Sequence, residues 1–191
     1  AQILGGGQER GRRAGTPDVA GGVAFVAAME AAVAARPAEI NRLGALRDID
    51  PEQLMGVFKV NAFITPMVAK HIKGLLSRNQ TSCFVALSAM VGSIEDNHLG
   101  GWYAYRASKA ALNMFVKTIA IELDRSGYKT RVAAIHPGTT ETELSRLFLS
   151  GVKHKVWVPN ESANNILNVI NALTDEESGC FKNWDGDNIP W

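Results

Sequence analysis

Two short apolar runs, separated by a segment long enough for a crossover helix, restrict the possible folds more than any other feature. They lie at 82–87 (SCFVAL) and 130–135 (TRVAAI). Each has the length and continuous apolar character of a strand buried on both faces of a parallel sheet. The Ala- and Leu-rich segment 103–125 between them predicts a long helix, and parallel neighbours need such a crossover. The pattern predicts an α/β fold with a parallel sheet.

A second long helix is predicted from about residue 51 to about residue 77. Asp50 can cap its first turn and Pro51 suits the first helical position. Pro66 interrupts it, and a kink is expected because a proline cannot donate to the carbonyl of Ala62. The remaining predicted elements are a short helix at 140–149, a helix at 161–173 and a short strand around 180–181.

Charge and cysteine content narrow the partners and the compartment. The formal net charge of +1 gives no field that would favour nucleic acid or an anionic membrane. No apolar stretch reaches the roughly 18 residues that a spanning helix needs. Cys83 and Cys180 form no metal or redox motif and are interpreted as buried thiols in a reducing compartment. We therefore expect a cytoplasmic protein with no nucleic-acid partner, no membrane partner and no metal.

Tyr105 and Lys109 form the pair of residues that suggests chemistry. They are four apart on the predicted helix 103–125, which places both side chains on one face. A free tyrosine has a pKa of about 10 and exchanges protons poorly at neutral pH. A neighbouring ammonium favours the phenolate, so such a pair can act as a general acid and base for a carbonyl–alcohol couple. By itself this spacing is also typical of an ordinary solvated helix face.

The residues around this pair carry a family resemblance. The run 103–112 (YAYRASKAAL) resembles the active-site helix of the short-chain dehydrogenase/reductase family. It is particularly similar to the carbonyl-reductase branch that includes the C-factor-like proteins. Three further matches occur in the order of that family: Val60-Asn61, the run 136–142 (HPGTTET) and the ending 184–191 (WDGDNIPW).

The resemblance implies a fold, a reaction and roles for individual residues. The expected fold is a Rossmann-like doubly wound parallel sheet. Tyr105 would exchange a proton with the substrate oxygen, Lys109 would lower its pKa and hold the nicotinamide ribose, and Asn61 would position a relay water. The expected cofactor is NADP or NAD, bound by Asn61, Tyr105, Lys109, Pro137, Gly138, Thr140 and Thr142. The expected substrate is a small carbonyl or alcohol, and the expected assembly is a homodimer or homotetramer.

One departure from the family pattern concerns the serine that orients the substrate. Ala89 occupies the position where that serine is expected, and Ser88 is the residue before it. Neighbouring side chains in a strand point to opposite faces, so Ser88 could supply the hydroxyl only with a local shift in register or a bulge. Ser88 is retained as the catalytic candidate, and Ser93 is a second one. His136 is interpreted as a residue at a strand end rather than as a base.

A larger departure concerns residues 1–44. The family begins with a strand, a Gly-rich turn and a helix that holds the pyrophosphate. The nearest match, 5–11 (GGGQERG), lacks the final glycine and has Arg13 there. A βαβ unit needs some 30 residues or more, so this segment cannot supply two of them. We therefore interpret 1–44 as a divergent or truncated remnant of the cofactor-binding half, or a segment read out of frame, and 45–191 as the catalytic half of a single domain. The first βαβ unit would be missing or degenerate.

Two classes of function follow. The first is an NAD(P)-dependent oxidoreductase acting through the Tyr105–Lys109 pair, which the presence of Asn61 and Thr142 favours. The second is a truncated, non-catalytic dehydrogenase-like protein used for binding, dimerisation or signalling, which Ala89 and the absent phosphate turn favour. Cofactor binding separates them.

Overall fold

A parallel sheet is the centre of the fold. The computed structural model describes residues 45–142, 145–149 and 154–191. Within them the strands β1 Ser82–Leu87, β2 Thr130–His136 and β3 Cys180–Asn183 lie in the order β1-β2-β3. The parallel sheet predicted from the apolar runs is confirmed. The prediction that the first βαβ unit is missing or degenerate concerns 1–44, which lie outside the described residues.

Within these described ranges, four helices connect and cover the strands. They are α1 Pro51–Phe58, α2 Ile64–Ile72, α3 Tyr103–Arg125 and α4 Pro159–Ala172. Short 3-10 turns lie at Leu46–Asp48, Lys73–Leu75, Met90–Gly92 and Ser145–Phe148. The helix predicted at 140–149 is thus only a 3-10 turn in its described part. The helix predicted to reach residue 77 ends as an α-helix at Ile72.

The first long helix is interrupted where the proline predicted an irregularity. Lys59–Phe63 form a π-helical turn between α1 and α2, and Ala62 lies inside it. Pro66 cannot donate a backbone hydrogen bond to Ala62, so a regular α-helical ladder cannot run through this stretch. The wider turn accommodates the missing bond and places Asn61 in its middle.

Helices cover both faces of the sheet, which makes it doubly wound. Alternate strand residues point to opposite faces. On one face, strand residues pack against residues of α3. The strand residues are Phe84, Ala86, Val132 and Ala134, and the α3 residues are Leu112, Val116, Ala120 and Leu123. On the other face, the strand residues Val85, Ala133 and Ile135 pack against Ile166, Val169 and Ile170 of α4. This core fixes the first turns of α3 against the carboxyl ends of β1 and β2, where α/β proteins bind their ligands.

Candidate active site

Lys109 joins helix α3 to the end of strand β1. Its side chain is buried, with 4% of its surface exposed, and its Nζ donates to the carbonyl oxygen of Leu87 at 2.8 Å. A buried ammonium needs such acceptors because desolvation alone is costly. Tyr105 lies one helical turn earlier on α3 and is half-buried. The structure therefore brings the predicted pair to the carboxyl end of β1.

Gly92 lets the turn after β1 approach α3 at this point. A Cβ at residue 92 would lie 2.9 Å from the Cβ of Lys109 and 3.2 Å from the Nδ2 of Asn113. Real Cβ atoms do not tolerate such a contact with packed neighbours. The glycine is thus a packing requirement of the site, and it lies three residues after Ala89, the position where the resemblance expects the serine.

The serines near the site are engaged in hydrogen bonds within the fold. Ser88 is buried, and its hydroxyl donates to the Oδ1 of Asn113 at 2.6 Å. Asn113 in turn donates to the carbonyl of Gly92 at 3.3 Å. Ser93 is also buried and accepts from the backbone N–H of Asp96 at 3.0 Å. The catalytic role suggested for Ser88 remains a prediction, and its bond to Asn113 gives the hydroxyl a structural use.

Ala89 lies between the serine and the turn with extended backbone, φ −150° and ψ 150°. In extended backbone its side chain points away from the side that Ser88 occupies. Only 9% of its surface is exposed. The position where the resemblance expects a substrate-orienting hydroxyl is therefore occupied by a methyl group.

Asn61 contacts α3 directly. Its Nδ2 donates to the hydroxyl of Ser108 at 3.0 Å, across 47 residues of sequence. Ser108 is fully buried and donates to the carbonyl of Tyr105 at 2.9 Å. The structure thus brings three of the predicted residues, Asn61, Tyr105 and Lys109, to one region of α3.

A pair of tryptophans encloses the loop that follows β2. The rings of Trp157 and Trp184 lie 4.6 Å apart at their centroids, tilted by 59°. Gly138 has a φ of +74°, and a Cβ there would lie 2.9 Å from each indole. The backbone N–H of Trp157 also donates to the carbonyl of Thr139 at 2.8 Å. Residue 138 must therefore be glycine for both conformational and packing reasons.

Alanine at this position is expected to destabilise the protein strongly. In Gly138→Ala the left-handed backbone and the contacts with both indoles should together lower the free energy of unfolding by about 3 kcal/mol. Gly186→Ala is the matched control, because Gly186 has a φ of +94° but open space around it. We expect that variant to lose only about 1 kcal/mol, the backbone cost. Equal losses in urea unfolding would contradict the indole contact.

Hydroxyl groups hold the rest of the loop. Thr140 donates to the hydroxyl of Ser162 at 2.9 Å, and Ser162 donates to the carbonyl of Pro137 at 3.2 Å. The backbone N–H of Thr142 donates to the hydroxyl of Ser145 at 2.8 Å. These bonds fix the backbone of the predicted cofactor-binding loop from the side of α4 and of the Ser145–Phe148 turn.

His136, the last residue of β2, is kept neutral. Burial lowers its pKa from 6.5 to about 4, and the nearby positive charges of His154 and Lys109 act in the same direction. Its Nδ1 is buried with no hydrogen-bond partner among the described residues. A neutral imidazole adds no second positive charge beside the Lys109 ammonium.

Stability should accordingly fall in acid through His136. Its folded pKa lies below its unfolded pKa, so its contribution is complete above about pH 6.5 and is lost as the pH falls towards 4. The full shift corresponds to about 3 kcal/mol, which partial exposure reduces. The free energy of unfolding is measured by chemical denaturation at about pH 7 and at about pH 4.5. Between these two pH values it should fall by about 2 kcal/mol less in His136→Gln than in the wild-type protein. The exposed His71, changed to Gln, should behave as wild type, and parallel losses in all three would contradict the assignment.

Four residues of this region were not predicted from the sequence. Asn113 and Ser108 hold other site residues, and Trp157 and Trp184 enclose Gly138. Asn113 follows Lys109 by four residues, so helical spacing could have indicated it. The tryptophans have no such local signal, because the chain brings them together from distant segments.

Among the described residues, no helix is both long and apolar enough to cross a membrane. Within the same ranges no group of three or more His, Cys, Asp or Glu residues is placed to hold a metal ion.

The chain is similar to curated proteins over most of its length. It is 32% identical to C-signal of Myxococcus xanthus over 147 residues, which covers 77% of this chain and 84% of that protein. It is 31% identical to 1-hydroxy-2-glutathionyl-2-methyl-3-butene dehydrogenase of Rhodococcus sp. over 156 residues. That match covers 82% of this chain but only 58% of the Rhodococcus protein. The chain thus spans little more than half of some of its relatives.

Solved structures show the same fold. Carbonyl reductase Sniffer of D. melanogaster superposes with a TM-score of 0.67 at 22% identity, covering 92% of this chain and 76% of that one. An NADPH-bound carbonyl reductase from chicken fatty liver gives a TM-score of 0.61 at 26% identity, covering 78% and 62%. The family model described as short chain dehydrogenase matches residues 30–151, nearly two thirds of the chain. The chain belongs to the short-chain dehydrogenase family.

Proposed function

We propose that the protein is an NAD(P)-dependent oxidoreductase that interconverts a small carbonyl compound and its alcohol. The observation that carries this proposal is the placement of Tyr105 one turn before the buried Lys109, at the carboxyl end of β1. Carboxyl ends of parallel strands are where ligands of such folds bind. An exposed helix face, the ordinary alternative for this spacing, would not bury the lysine.

The proton is handled by the phenol of Tyr105. In reduction its hydroxyl donates to the carbonyl oxygen of the substrate, and in oxidation the phenolate accepts the proton of the alcohol. Lys109 favours the phenolate through its positive charge. The buried environment strengthens this interaction, because a charge is screened less there than in water. Asn61 supports the relay of that proton towards solvent.

The residues present fit the nicotinamide end of a dinucleotide. The hydroxyls of Thr140 and Thr142, the backbone of the loop at Gly138 and the ammonium of Lys109 match ribose hydroxyls and a carboxamide. Pro137, Asn61 and Tyr105 complete the proposed set. When bound, NADP or NAD supplies or removes the hydride. Because His136 is neutral, it adds no positive charge beside the Lys109 ammonium.

The proposed substrate is a small carbonyl or alcohol, and the proposed assembly is a homodimer or homotetramer. The similar proteins 1-hydroxy-2-glutathionyl-2-methyl-3-butene dehydrogenase of Rhodococcus sp. and the NADPH-bound carbonyl reductase from chicken fatty liver support the reaction type. Helices α2 and α3 carry exposed apolar side chains, Met67, Met114 and Ile121, which suit pairing through a helix face. We place the protein in the cytoplasm.

A non-catalytic role is the second candidate, and Ala89 favours it. The position expected to polarise the substrate carbonyl carries no hydroxyl, and that of Ser88 is bonded to Asn113. A protein of this kind would use the fold for binding, dimerisation or signalling. It would keep the packing of α3 and yet reduce no carbonyl compound.

Consumption of reduced cofactor separates the two candidates. The folded protein is mixed with NADPH or NADH and a panel of aldehydes and ketones, and loss of reduced nicotinamide absorbance is followed. We expect turnover with at least one combination. A folded sample that consumes neither cofactor with any carbonyl compound would leave the non-catalytic role as the better account.

A further inference from the structure

Ser108 connects two residues of the proposed site without belonging to it. Its side chain is fully buried in α3, next to Lys109 in sequence. Its Oγ lies 3.0 Å from the Nδ2 of Asn61 and 2.9 Å from the carbonyl oxygen of Tyr105. The proton transfer proposed above assigns this hydroxyl no task.

The donors and acceptors of the hydrogen bonds at Ser108 fix the orientation of the Asn61 amide. A serine hydroxyl has one proton to donate, and here the carbonyl of Tyr105 receives it. Ser108 can then only accept from Asn61, so Asn61 must present its NH2 group to α3. The amide oxygen of Asn61 consequently points away from Ser108.

The segment that carries Asn61 needs such support. Lys59–Phe63 form a π-helical turn, a geometry that is rare and seldom stable without tertiary contacts. Ala62 within this turn is fully buried, and Thr65 just beyond it is 5% exposed. The bond from Asn61 to Ser108 is a side-chain bond from this turn to α3, which also carries Tyr105 and Lys109.

We propose that Ser108 is a positioning residue. It holds the π-helical turn against α3 and thereby sets the distance and orientation of Asn61 relative to Lys109. The inference rests on the proposed function, because it assigns the position of Asn61 a role in turnover. It concerns a residue that touches neither substrate nor cofactor in that mechanism.

The first test compares Ser108→Ala with Thr118→Ala. Thr118 also lies on α3 and donates to a backbone carbonyl of its own helix, that of Met114, at 2.9 Å. Thr118 is exposed, and within the described part of the chain its hydroxyl makes no hydrogen bond to a second helix. We expect Ser108→Ala to lower kcat about tenfold, as a small misplacement can, with KM changed less than about twofold. Thr118→Ala should keep the wild-type kcat, and equal values in both variants would overturn the proposal.

Two further variants show whether Ser108 acts through Asn61. If it does, Ser108→Ala should add little to the loss caused by Asn61→Ala, because the two share one contact. Fully multiplicative losses would overturn the proposal. Ser108→Cys, which keeps a weak donor and acceptor of similar size, should recover part of the lost kcat and serves if the alanine variant fails to fold.

Hydrogen exchange makes the test independent of catalysis. The backbone amides of 59–63 should exchange faster in Ser108→Ala than in the wild-type protein, and at the wild-type rate in Thr118→Ala. Faster exchange without any turnover in the wild-type protein would uphold the contact and sink the proposed function. Wild-type turnover with unchanged exchange and unchanged kcat in Ser108→Ala would sink the inference alone.

Discussion

Tyr105→Phe is expected to lower kcat by about 10³-fold, within the range that general acid–base catalysis contributes. The variant removes one oxygen atom, the one that exchanges the proton in the proposed reaction. Tyr105 is only half-buried at the start of α3, so the fold and its melting temperature should change little. The measurement is steady-state consumption of reduced cofactor at a saturating concentration of carbonyl substrate.

Tyr103→Phe is the matched control for this variant. Tyr103 lies two residues earlier on the same helix, is 41% exposed and loses the same atom. We expect it to keep the kcat of the wild-type protein. Unchanged turnover in Tyr105→Phe, or an equal loss in both variants, would refute the role assigned to Tyr105.

Ala89→Ser should have the second large effect, in the opposite direction. It returns a hydroxyl to the position where the family pattern expects one, and removing a comparable oxyanion donor costs about 10²–10³ in kcat. The extended backbone of Ala89 accepts serine without strain. We expect kcat to rise by about 10²-fold in steady-state assays with the best carbonyl substrate. No increase in a folded variant would contradict the site geometry proposed around Ala89.

Ser88→Ala tests the competing source of that hydroxyl. If Ser88 has only a structural role, the variant should keep kcat within about tenfold. Its free energy of unfolding should fall by about 1–3 kcal/mol, because the Oδ1 of Asn113 loses its hydrogen-bond donor. A loss of turnover as large as that of Tyr105→Phe, without loss of stability, would instead assign Ser88 the catalytic role.

The elements with long and regular patterns were predictable from the sequence. The bounds 82–87 and 103–125 agree with those of β1 and α3. For α3 the reason is local: a periodic apolar face ends at Gly127, which has a left-handed φ of +74°. The first long helix was predicted to continue to about residue 77, but its α-helical part ends five residues earlier, at Ile72. It passes into a 3-10 turn that contains Gly74, a poor helix former.

The site was predictable only where one helix supplies the geometry. The spacing of Tyr105 and Lys109 follows from the helical repeat. The bonds from Asn61 to Ser108 and from Ser88 to Asn113 depend on how separate elements pack, which no local pattern encodes. Pro66 indicated an irregularity near Asn61, but the π-helical form of that irregularity depends on its contact with α3.

The loop after β2 illustrates the same division. Its Pro-Gly pair predicted a turn, and Gly138 does adopt the left-handed conformation. Thr140 was predicted to belong to a short helix at 140–149, but it forms a strand-like bridge with Trp157. The extended conformation of Thr140 depends on its pairing with the distant Trp157. This pairing lies close to Gly138, which contacts both Trp157 and Trp184.

Binding of the reduced cofactor tests the central claim most directly. Trp157 and Trp184 lie beside Gly138, so energy transfer from tryptophan to a bound reduced nicotinamide reports occupancy of the proposed site. The folded chain of 191 residues is titrated with NADPH and, separately, with NADH. We predict saturable quenching of tryptophan emission with at least one of them, weakened in Lys109→Met. A folded protein that shows no saturable response to either cofactor would contradict the account.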